Sequence, residues 1–166
     1  MSNHQELLKE FETHSSTADG LMAIMQHISE RLHEEMTRYN WVGFYFMEPP
    51  AFDVLVLGPY VGSFMPNLRI PIDKGLCGAA ARSQQTVCAN NVANDPRYIG
   101  GDMVKSNIIV PIFAKKKMVA ELCIESYFVG TFDAPEQKFI EACAALVGRY
   151  MEKESPAGAK RATTAD

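Results

Sequence analysis

The residues with the greatest potential for chemistry in this chain are its cysteines. The sequence contains four of them, Cys77, Cys88, Cys123 and Cys143, and no two stand three positions apart. The usual zinc-binding and thioredoxin-type spacings are therefore absent, and a buried free thiol is the expected state for most of the four. Cys77 differs because it falls in the first turn of a predicted helix, where a thiol pKa tends to be lowered. We retain two interpretations of Cys77, a packed small residue and a reactive thiol.

Histidines, the common partners of a reactive cysteine, are confined to the start of the chain. His4, His14, His27 and His33 all lie within the first 33 residues. A Cys–His nucleophile or a histidine-rich metal site is therefore not expected near Cys77, unless the N-terminal segment folds over it. We predict ordinary surface or boundary histidines, no bound metal and no cofactor.

Length and composition predict one globular domain. The chain has 166 residues, 47% of them apolar and 22% charged, with a net charge of −4, which suits a single hydrophobic core. The acidic balance argues against a nucleic-acid or anionic-membrane surface, since such surfaces need clustered lysines and arginines. The basic run at residues 115–117 stands between two apolar stretches and is predicted to be a hairpin turn.

Targeting signals are not expected from the sequence. No segment approaches the ~18 apolar residues of a membrane helix, and residues 1–6 lack the basic and then apolar pattern of a signal peptide. We predict a cytoplasmic protein with neither a membrane nor a nucleic acid as its partner.

The pattern of residues 68–111 predicts one pocket bounded by strands, a helix and a loop. A short strand leads into helix 76–83, whose free backbone N–H groups favour an anion or a carboxylate. Loop 90–105 is long enough to be functional, and we interpret it as a lid carrying Tyr98 and Ile99. Arg97 in this loop has two possible roles, contact with an anion or a surface ion pair.

The remaining elements must build a sheet behind that pocket. Apolar residues at steps of three and four predict helix 21–39 and helix 136–152. Aromatic and β-branched runs predict strands, several of them joined closely enough to pair antiparallel; they lie at 41–47, 54–61, 68–72, 86–89, 106–114 and 118–126. The predicted fold class is α+β, a central antiparallel sheet of about six strands flanked by helices. We assign residues 1–19 to a helical or flexible segment, 20–153 to the domain and 154–166 to a disordered tail.

Strand alternation sorts the side chains onto two faces. In strand 41–47, Trp41, Gly43 and Tyr45 share one face, and the small Gly43 leaves a notch that suits a ligand wall or a closely packed helix. In strand 118–126, Met118, Ala120, Leu122 and Ile124 are predicted on one face and Val119, Glu121, Cys123 and Glu125 on the other. The polar face is either solvated or the floor of a pocket.

This order of elements resembles a GAF domain, a central antiparallel sheet flanked by helices. Over about residues 20–152 the chain resembles more specifically the free methionine-(R)-sulfoxide reductase family. The resemblance rests on five short motifs in the same order, at residues 40–45 (Asn-Trp-Val-Gly-Phe-Tyr), 55–62, 69–71 (Arg-Ile-Pro), 75–78 (Gly-Leu-Cys-Gly) and 109–111 (Ile-Val-Pro).

The resemblance also marks departures from the family pattern. Those reductases use three cysteines, of which this chain keeps Cys77. The family's resolving cysteine corresponds to Asn67 and its nucleophile falls near Gly101, and neither residue can form the covalent sulfur intermediate. The catalytic cysteine is therefore predicted to be missing.

The acidic substrate contacts of the family are altered as well. The resemblance implies that a glutamate becomes Asn107 and that a pair of aspartates becomes Cys123 and Glu125. It thereby assigns the polar face of strand 118–126 to the pocket.

These observations favour a sensory or regulatory small-molecule-binding GAF domain without catalysis. The expected ligand is an amino-acid-like metabolite or a small anion. The terminal helices would form a homodimer or transmit a signal to a protein partner. The predicted ligand-binding residues are Trp41, Tyr45, Cys77, Tyr98, Asn107, Cys123 and Glu125.

Two alternatives remain open at this point. One is a thiol-dependent free methionine-(R)-sulfoxide reductase that uses Cys77 as its nucleophile, for which Cys88 is a possible redox partner. The other is a dimerisation module with a closed, dry core.

Overall fold

A computed structural model describes the backbone of residues 2–165 and the side chains of residues 2–154. In chain order the elements are α1 (Asn3–Ser15), α2 (Leu21–Glu35), β1 (Trp41–Met47), β2 (Val54–Gly62), β3 (Arg69–Pro71), α3 (Gly75–Ser83), β4 (Val87–Ala89), a 3-10 turn (Val92–Asn94), β5 (Ser106–Ala114), β6 (Lys117–Ser126) and α4 (Ala134–Ala165).

The strands form one antiparallel sheet in the order β3-β2-β1-β6-β5-β4. Strands β1 and β6 occupy the centre, and their register places Gly43 opposite Cys123 and Trp41 opposite Glu125. The predicted fold class, a six-stranded antiparallel sheet flanked by helices, is confirmed.

Each face of the sheet carries its own hydrophobic core. On the first face α2 packs against β1 and β2, α4 packs against β5, and α1 packs against both helices, with Val42, Phe44 and Leu122 in the core. On the second face α3 and the 90–105 loop pack around Trp41 and Ile109. The first core holds most of the buried helical side chains, which leaves the second, smaller core free to enclose a cavity.

The alternation predicted for β1 is confirmed, whereas that for β6 is wrong at its first residues. Met118 packs in the second core, and Val119 packs against the first. The cause is a register shift between Ile112 and Phe113 of β5, where Ala120 and Met118 of β6 are paired in succession. Such a bulge reverses the faces of the residues beyond it.

Two helix predictions need adjustment. Helix α2 ends at Glu35 rather than at residue 39, and Tyr39 lies buried in the following loop, where its hydroxyl donates a hydrogen bond to Glu136. Helix α1 is well packed, since Leu7 and Phe11 belong to the first core.

The turn at residues 115–117 joins β5 and β6, as predicted for a hairpin. Lys115 and Lys116 both have positive φ, 51° and 67°, the conformation of a tight two-residue hairpin turn. Helix α4 spans Ala134–Ala165. The side chains of residues 155–166, which belong to the predicted disordered tail, lie outside the described residues. Among the helices that the structure describes, none has the length and apolar character needed to cross a lipid bilayer.

Candidate functional site

A cavity of about 350 Å³ lies between the second face of the sheet, the first turn of α3 and the 90–105 loop. Every residue that the sequence analysis assigned to ligand binding lines this one cavity. The structure thus brings together Trp41, Tyr45, Cys77, Tyr98, Asn107, Cys123 and Glu125. Their role in binding a ligand stays a prediction.

An aromatic wall built around Trp41 forms one side of the cavity. The indole stacks on Tyr60 with ring centroids 5.6 Å apart and on Phe64 at 5.9 Å. A Cβ atom at Gly43 would come within 2.6 Å of the indole ring, so the predicted notch is filled by Trp41 itself. The indole Nε1 is buried and has no hydrogen-bond partner in the described part of the chain, although a buried indole N–H usually has one.

The floor of the cavity comes from β5 and β6. Asn107 and Glu125 stand opposite each other in the register of these strands, and both line the cavity. The Oδ1 atom of Asn107 is buried and accepts no hydrogen bond from any described residue. Nearly all buried polar atoms in proteins are hydrogen-bonded, so this acceptor suits a ligand donor.

Two cysteines meet at the inner end of the cavity. The Sγ atoms of Cys77 on α3 and Cys123 on β6 lie 3.4 Å apart. Cys88, proposed above as a partner of Cys77, packs instead toward the first core, with its Sγ 3.8 Å from the Phe132 carbonyl oxygen. The Cys77–Cys88 pairing is therefore wrong, because the two thiols are on opposite faces of the sheet.

Comparison with known proteins identifies the family to which this architecture belongs. Residues 20–151 match the family model of the GAF domain. The chain belongs to the GAF domain family. It is 31% identical over 145 residues to the free methionine-R-sulfoxide reductase of Escherichia coli, with 86% of each chain covered.

Solved structures of such reductases have the same fold as this GAF domain. The enzyme of Neisseria meningitidis in complex with its substrate superposes with a TM-score of 0.86 at 26% identity, covering 93% of this chain and 91% of the other. The Staphylococcus aureus enzyme in complex with substrate gives a TM-score of 0.82 at 29% identity, covering 91% and 97%. The resemblance inferred from the motifs is confirmed at the level of fold and kinship.

The acidic residues beside the GAF cavity have raised pKa values. Burial raises the pKa of Glu125 to about 7. Glu121, fully buried on the same face, has no hydrogen-bond partner for either carboxyl oxygen among the described residues. Burial and the neighbouring Cys77 side chain raise the pKa of Glu121 well above its usual range. Burial thus favours the protonated form of Glu121, and Glu125 titrates near neutral pH.

The same environment keeps the Cys77 thiol protonated. The hydrogen bond with Cys123, burial and the charge of Glu125 raise its pKa well above the ordinary value. The pKa lowering expected for the first turn of a helix is therefore not found, because the hydrogen bond with Cys123 and burial both act in the opposite direction. At Cys123 the hydrogen bond with Cys77 lowers the thiol pKa, but burial and the charges of Glu125 and Glu121 together outweigh it and the net shift is upward.

The first turn of α3 opens into the cavity. Lys74, Gly75 and Leu76 line it with Cys77, and in the described structure no side chain caps the helix. The first backbone N–H groups of a helix have no intrahelical acceptor, so this turn offers donors to an anionic group. The predicted contribution of the helix to the cavity wall is confirmed.

The 90–105 loop closes the cavity as a lid, in agreement with the prediction. Tyr98 and Ile99 line the cavity, and the Tyr98 hydroxyl donates to the carbonyl oxygen of Gly101 at 3.3 Å. Arg97 forms an ion pair with Asp95 at 2.7 Å. Of the two roles considered for Arg97, the structure thus shows the surface ion pair.

Sequence reasoning missed the part of the wall that lies between β2 and β3. Phe64 and Met65 line the cavity there, as does Met103 in the lid. Asn67 lines it too, although the sequence analysis named it only as the position of a reductase cysteine. Met65 and Met103 are exposed at its mouth. The sequence does contain a signal for this part of the wall. The short connection between β2 and β3 carries large apolar residues, whereas exposed turns normally carry polar ones.

Proposed function

We propose that this GAF domain binds a small amino-acid-like metabolite in its cavity and does not convert it chemically. The observation that carries the proposal is the buried Asn107 Oδ1, an acceptor without a partner among the described residues, in a residue that lines the cavity. An acceptor left unpaired costs about 1–3 kcal/mol, and a ligand that donates a hydrogen bond removes that cost.

The polar groups of the cavity suit a zwitterion with an apolar side chain. An ammonium group would donate to Asn107 and to the ionised form of Glu125. A carboxylate would accept from the indole N–H of Trp41 and from the first turn of α3. The aromatic wall then contacts the apolar part of the ligand. Relatives with this fold are named for free methionine-R-sulfoxide, so this sulfoxide and methionine are first candidates.

The lack of turnover is inferred from two positions at the cavity. Asn67 and Gly101 stand where the resemblance implies cysteines of the reductases, and both line the cavity. A Cβ built at Gly101 meets nothing within 4 Å, so the nucleophile's position is open space. Of the cysteines used by the reductases only Cys77 remains, and its raised pKa leaves little of the reactive thiolate, so its reactions as a nucleophile are slow.

Calorimetric titration and Trp41 fluorescence test this proposal. Trp41 is the single tryptophan of the chain and lies in the cavity wall, so its emission should change on titration with the true ligand. The panel contains free amino acids, methionine sulfoxide and nitrate. We expect saturable binding of at least one amino-acid-like compound, and the absence of binding across the panel would contradict the proposal.

Substitution of Asn107 provides the matched control. Asn107→Leu removes the unpaired acceptor, so we expect binding weaker by about tenfold or more together with an unchanged or higher melting temperature. Asn94→Leu, at an exposed position in the 3-10 turn, should leave the affinity unchanged. Equal affinity in wild type and Asn107→Leu would exclude this residue from recognition.

A second candidate function is a thiol-dependent reductase, favoured by the 3.4 Å separation of Cys77 and Cys123. In that reaction Cys77 would attack the sulfoxide sulfur and Cys123 would resolve the intermediate, so that the sulfoxide oxygen leaves as water and the two thiols become a disulfide. Reduction of free methionine-(R)-sulfoxide in the presence of a dithiol, abolished by Cys77→Ser, would establish it.

A further inference from the structure

The two cavity cysteines bring their sulfur atoms close together. Their Sγ atoms are 3.4 Å apart, whereas a disulfide requires about 2.05 Å. A relative movement of roughly 1.4 Å would therefore form the bond. The other cysteines have no such neighbour in the described structure, since Cys88 approaches a backbone carbonyl and Cys143 lies in the first core.

The elements that carry the two thiols differ in their freedom to move. Cys123 lies in a central strand, paired with Gly43 on one side and Ile109 on the other. Cys77 lies in the first turn of α3, a helix of nine residues that follows a short loop. The adjustment needed to form a bond therefore falls on the Cys77 side chain and on the start of α3, because the central strand is held on both edges.

We propose that Cys77 and Cys123 form a reversible disulfide at the cavity floor and that this bond lowers the affinity of the cavity for its ligand. The second part rests on the proposed function, and the first part does not. The bond would make the cavity sensitive to oxidants that enter through its mouth.

The chemistry balances with a hydroperoxide as oxidant. The Cys77 sulfur attacks the peroxide, an S–O bond forms as the O–O bond breaks, and the thiol proton leaves with the released water or alcohol. The Cys123 sulfur then displaces the hydroxyl group from the Cys77 sulfenic acid, and a second water carries away its proton. The two sulfurs together lose two electrons to the peroxide, and a dithiol reductant reverses the step by exchange.

The bond would change the ligand site through α3. Lys74, Gly75 and Leu76 line the cavity directly before Cys77, so movement of the first turn displaces backbone donors that the proposal assigns to the ligand's carboxylate. The bond also removes the two thiol hydrogens from the floor. We expect the affinity to fall by at least about fivefold, the lower range of couplings between two sites.

Peptide mapping of the full chain tests the first part. The reduced protein is treated with stoichiometric hydrogen peroxide, alkylated and digested without reductant. We expect the intact mass to fall by two hydrogens, free thiols to fall from four to two, and a cross-linked peptide pair to contain Cys77 and Cys123. A disulfide through Cys88 or between chains, or stable sulfenic or sulfinic acid without a bond, would overturn the proposal.

Variants separate the bond from general damage. Cys88→Ser should form the cross-link as the wild type does, whereas Cys77→Ser should not. Cys77→Ser is chosen over a change at the more buried Cys123, and its circular dichroism and melting temperature verify that it is folded. Loss of two thiols in folded Cys77→Ser would show that other residues carry the oxidation and would contradict the assignment.

Titration of reduced and oxidised protein with the amino-acid panel tests the second part. Weaker binding after oxidation, restored by dithiothreitol and absent in Cys77→Ser, supports the coupling. Equal affinity in both states overturns the coupling but leaves the mapped disulfide standing. If the reduced protein binds nothing in the panel, the proposed function fails and the coupling with it, while the mapping still decides the disulfide.

Discussion

At the scale of single residues, the cavity is defined by polar groups that the protein leaves without partners. Trp41 Nε1, Asn107 Oδ1 and both carboxyl oxygens of Glu121 are buried and unpaired within the described residues. Glu121 lies on the same face of β6 as Cys123, and its raised pKa favours the uncharged carboxyl group beside the cavity. Unpaired polar groups lower stability, and their concentration on one face is typical of a functional site.

The raised pKa of Glu121 predicts how stability changes with pH. An acid that holds its proton more tightly when folded makes the native state bind more protons than the unfolded state, so stability falls as pH rises above the unfolded pKa. We expect lower stability at about pH 8 than at about pH 5, at up to about 1.4 kcal/mol per pH unit for each such group.

Glu121→Gln checks this cause by urea unfolding at both pH values. The substitution should stabilise the protein at the higher pH by at least about 1.4 kcal/mol, the equivalent of one pKa unit, and have a smaller effect at the lower pH. Glu30 is an exposed acid on α2, and Glu30→Gln should leave the stability unchanged at both pH values. A wild-type protein that is more stable at the higher pH, with no change on Glu121→Gln, would contradict the raised pKa of Glu121.

Gly43 gives a second prediction at this scale. A Cβ there would meet the Trp41 ring and the Tyr60 Cβ atom, each at 2.6 Å. Gly43→Ala should therefore destabilise the domain by about 1–3 kcal/mol and alter the Trp41 emission. Gly101→Ala is the matched control because its Cβ enters open space, and its unfolding curve should coincide with that of the wild type.

At the scale of elements, the sequence predicts the strands well because alternation and turns are local signals. Strand 106–114 has the bounds that were predicted, and the lysine turn joins it to β6. The end of α2 was placed too late, since Tyr39 continues the apolar periodicity although it packs from a loop. The orientation of Met118 was wrong because a bulge depends on the partner strand.

The site was predictable as a set of residues but not as a set of contacts. The family motifs and strand parity named residues that do line one cavity. The contact of Cys77 with Cys123, 46 positions later, depends on how α3 packs across the sheet. No local pattern in the sequence contains that information, and the sequence analysis therefore considered only Cys88 as a possible partner of Cys77.

The positions of Asn67 and Gly101 in the cavity lining predict that two substitutions would give this chain reductase activity. Asn67 follows the aromatic wall and Gly101 lies in the lid, and both line the cavity. The Asn67 contact with Tyr45 uses its backbone carbonyl, at 2.9 Å, so a side-chain substitution preserves it. We expect the variant Asn67→Cys, Gly101→Cys to reduce free methionine-(R)-sulfoxide in the presence of a dithiol.

The single substitutions are the controls for that experiment. Without an added thiol reductant, Gly101→Cys alone should give one turnover at most, because it lacks the resolving cysteine. Asn67→Cys alone should give none. Product is measured as free methionine by chromatography. An inactive but folded double variant that still binds the sulfoxide would show that the cavity positions its ligand differently from the reductases.

At the scale of the whole molecule, one face of the sheet provides stability and the other provides the cavity. The first core joins α1, α2 and α4 to the sheet, so the terminal helices are built into the fold. The outer surface of α2 exposes Met22 at 57%, and an exposed methionine suits a contact between subunits. The terminal helices thus remain candidates for a homodimer or for contact with a signalling partner.

Light scattering coupled to size-exclusion chromatography tests the homodimer. We expect twice the chain mass of 18.4 kDa, and Met22→Glu should shift the protein toward the monomer, since it places a charge in the contact. Glu30→Gln serves again as the control on the same helix. A monomeric wild-type protein at all concentrations would contradict the prediction.

The central claim is that the cavity recognises a small zwitterion and leaves it unchanged. Saturation-transfer NMR on the purified chain with the amino-acid panel, free methionine-(R)-sulfoxide and a dithiol observes binding and conversion in one sample. The account predicts saturation transfer to at least one amino-acid-like compound and no growth of a methionine methyl signal. Steady formation of methionine, or no saturation transfer to any member of the panel, would contradict it.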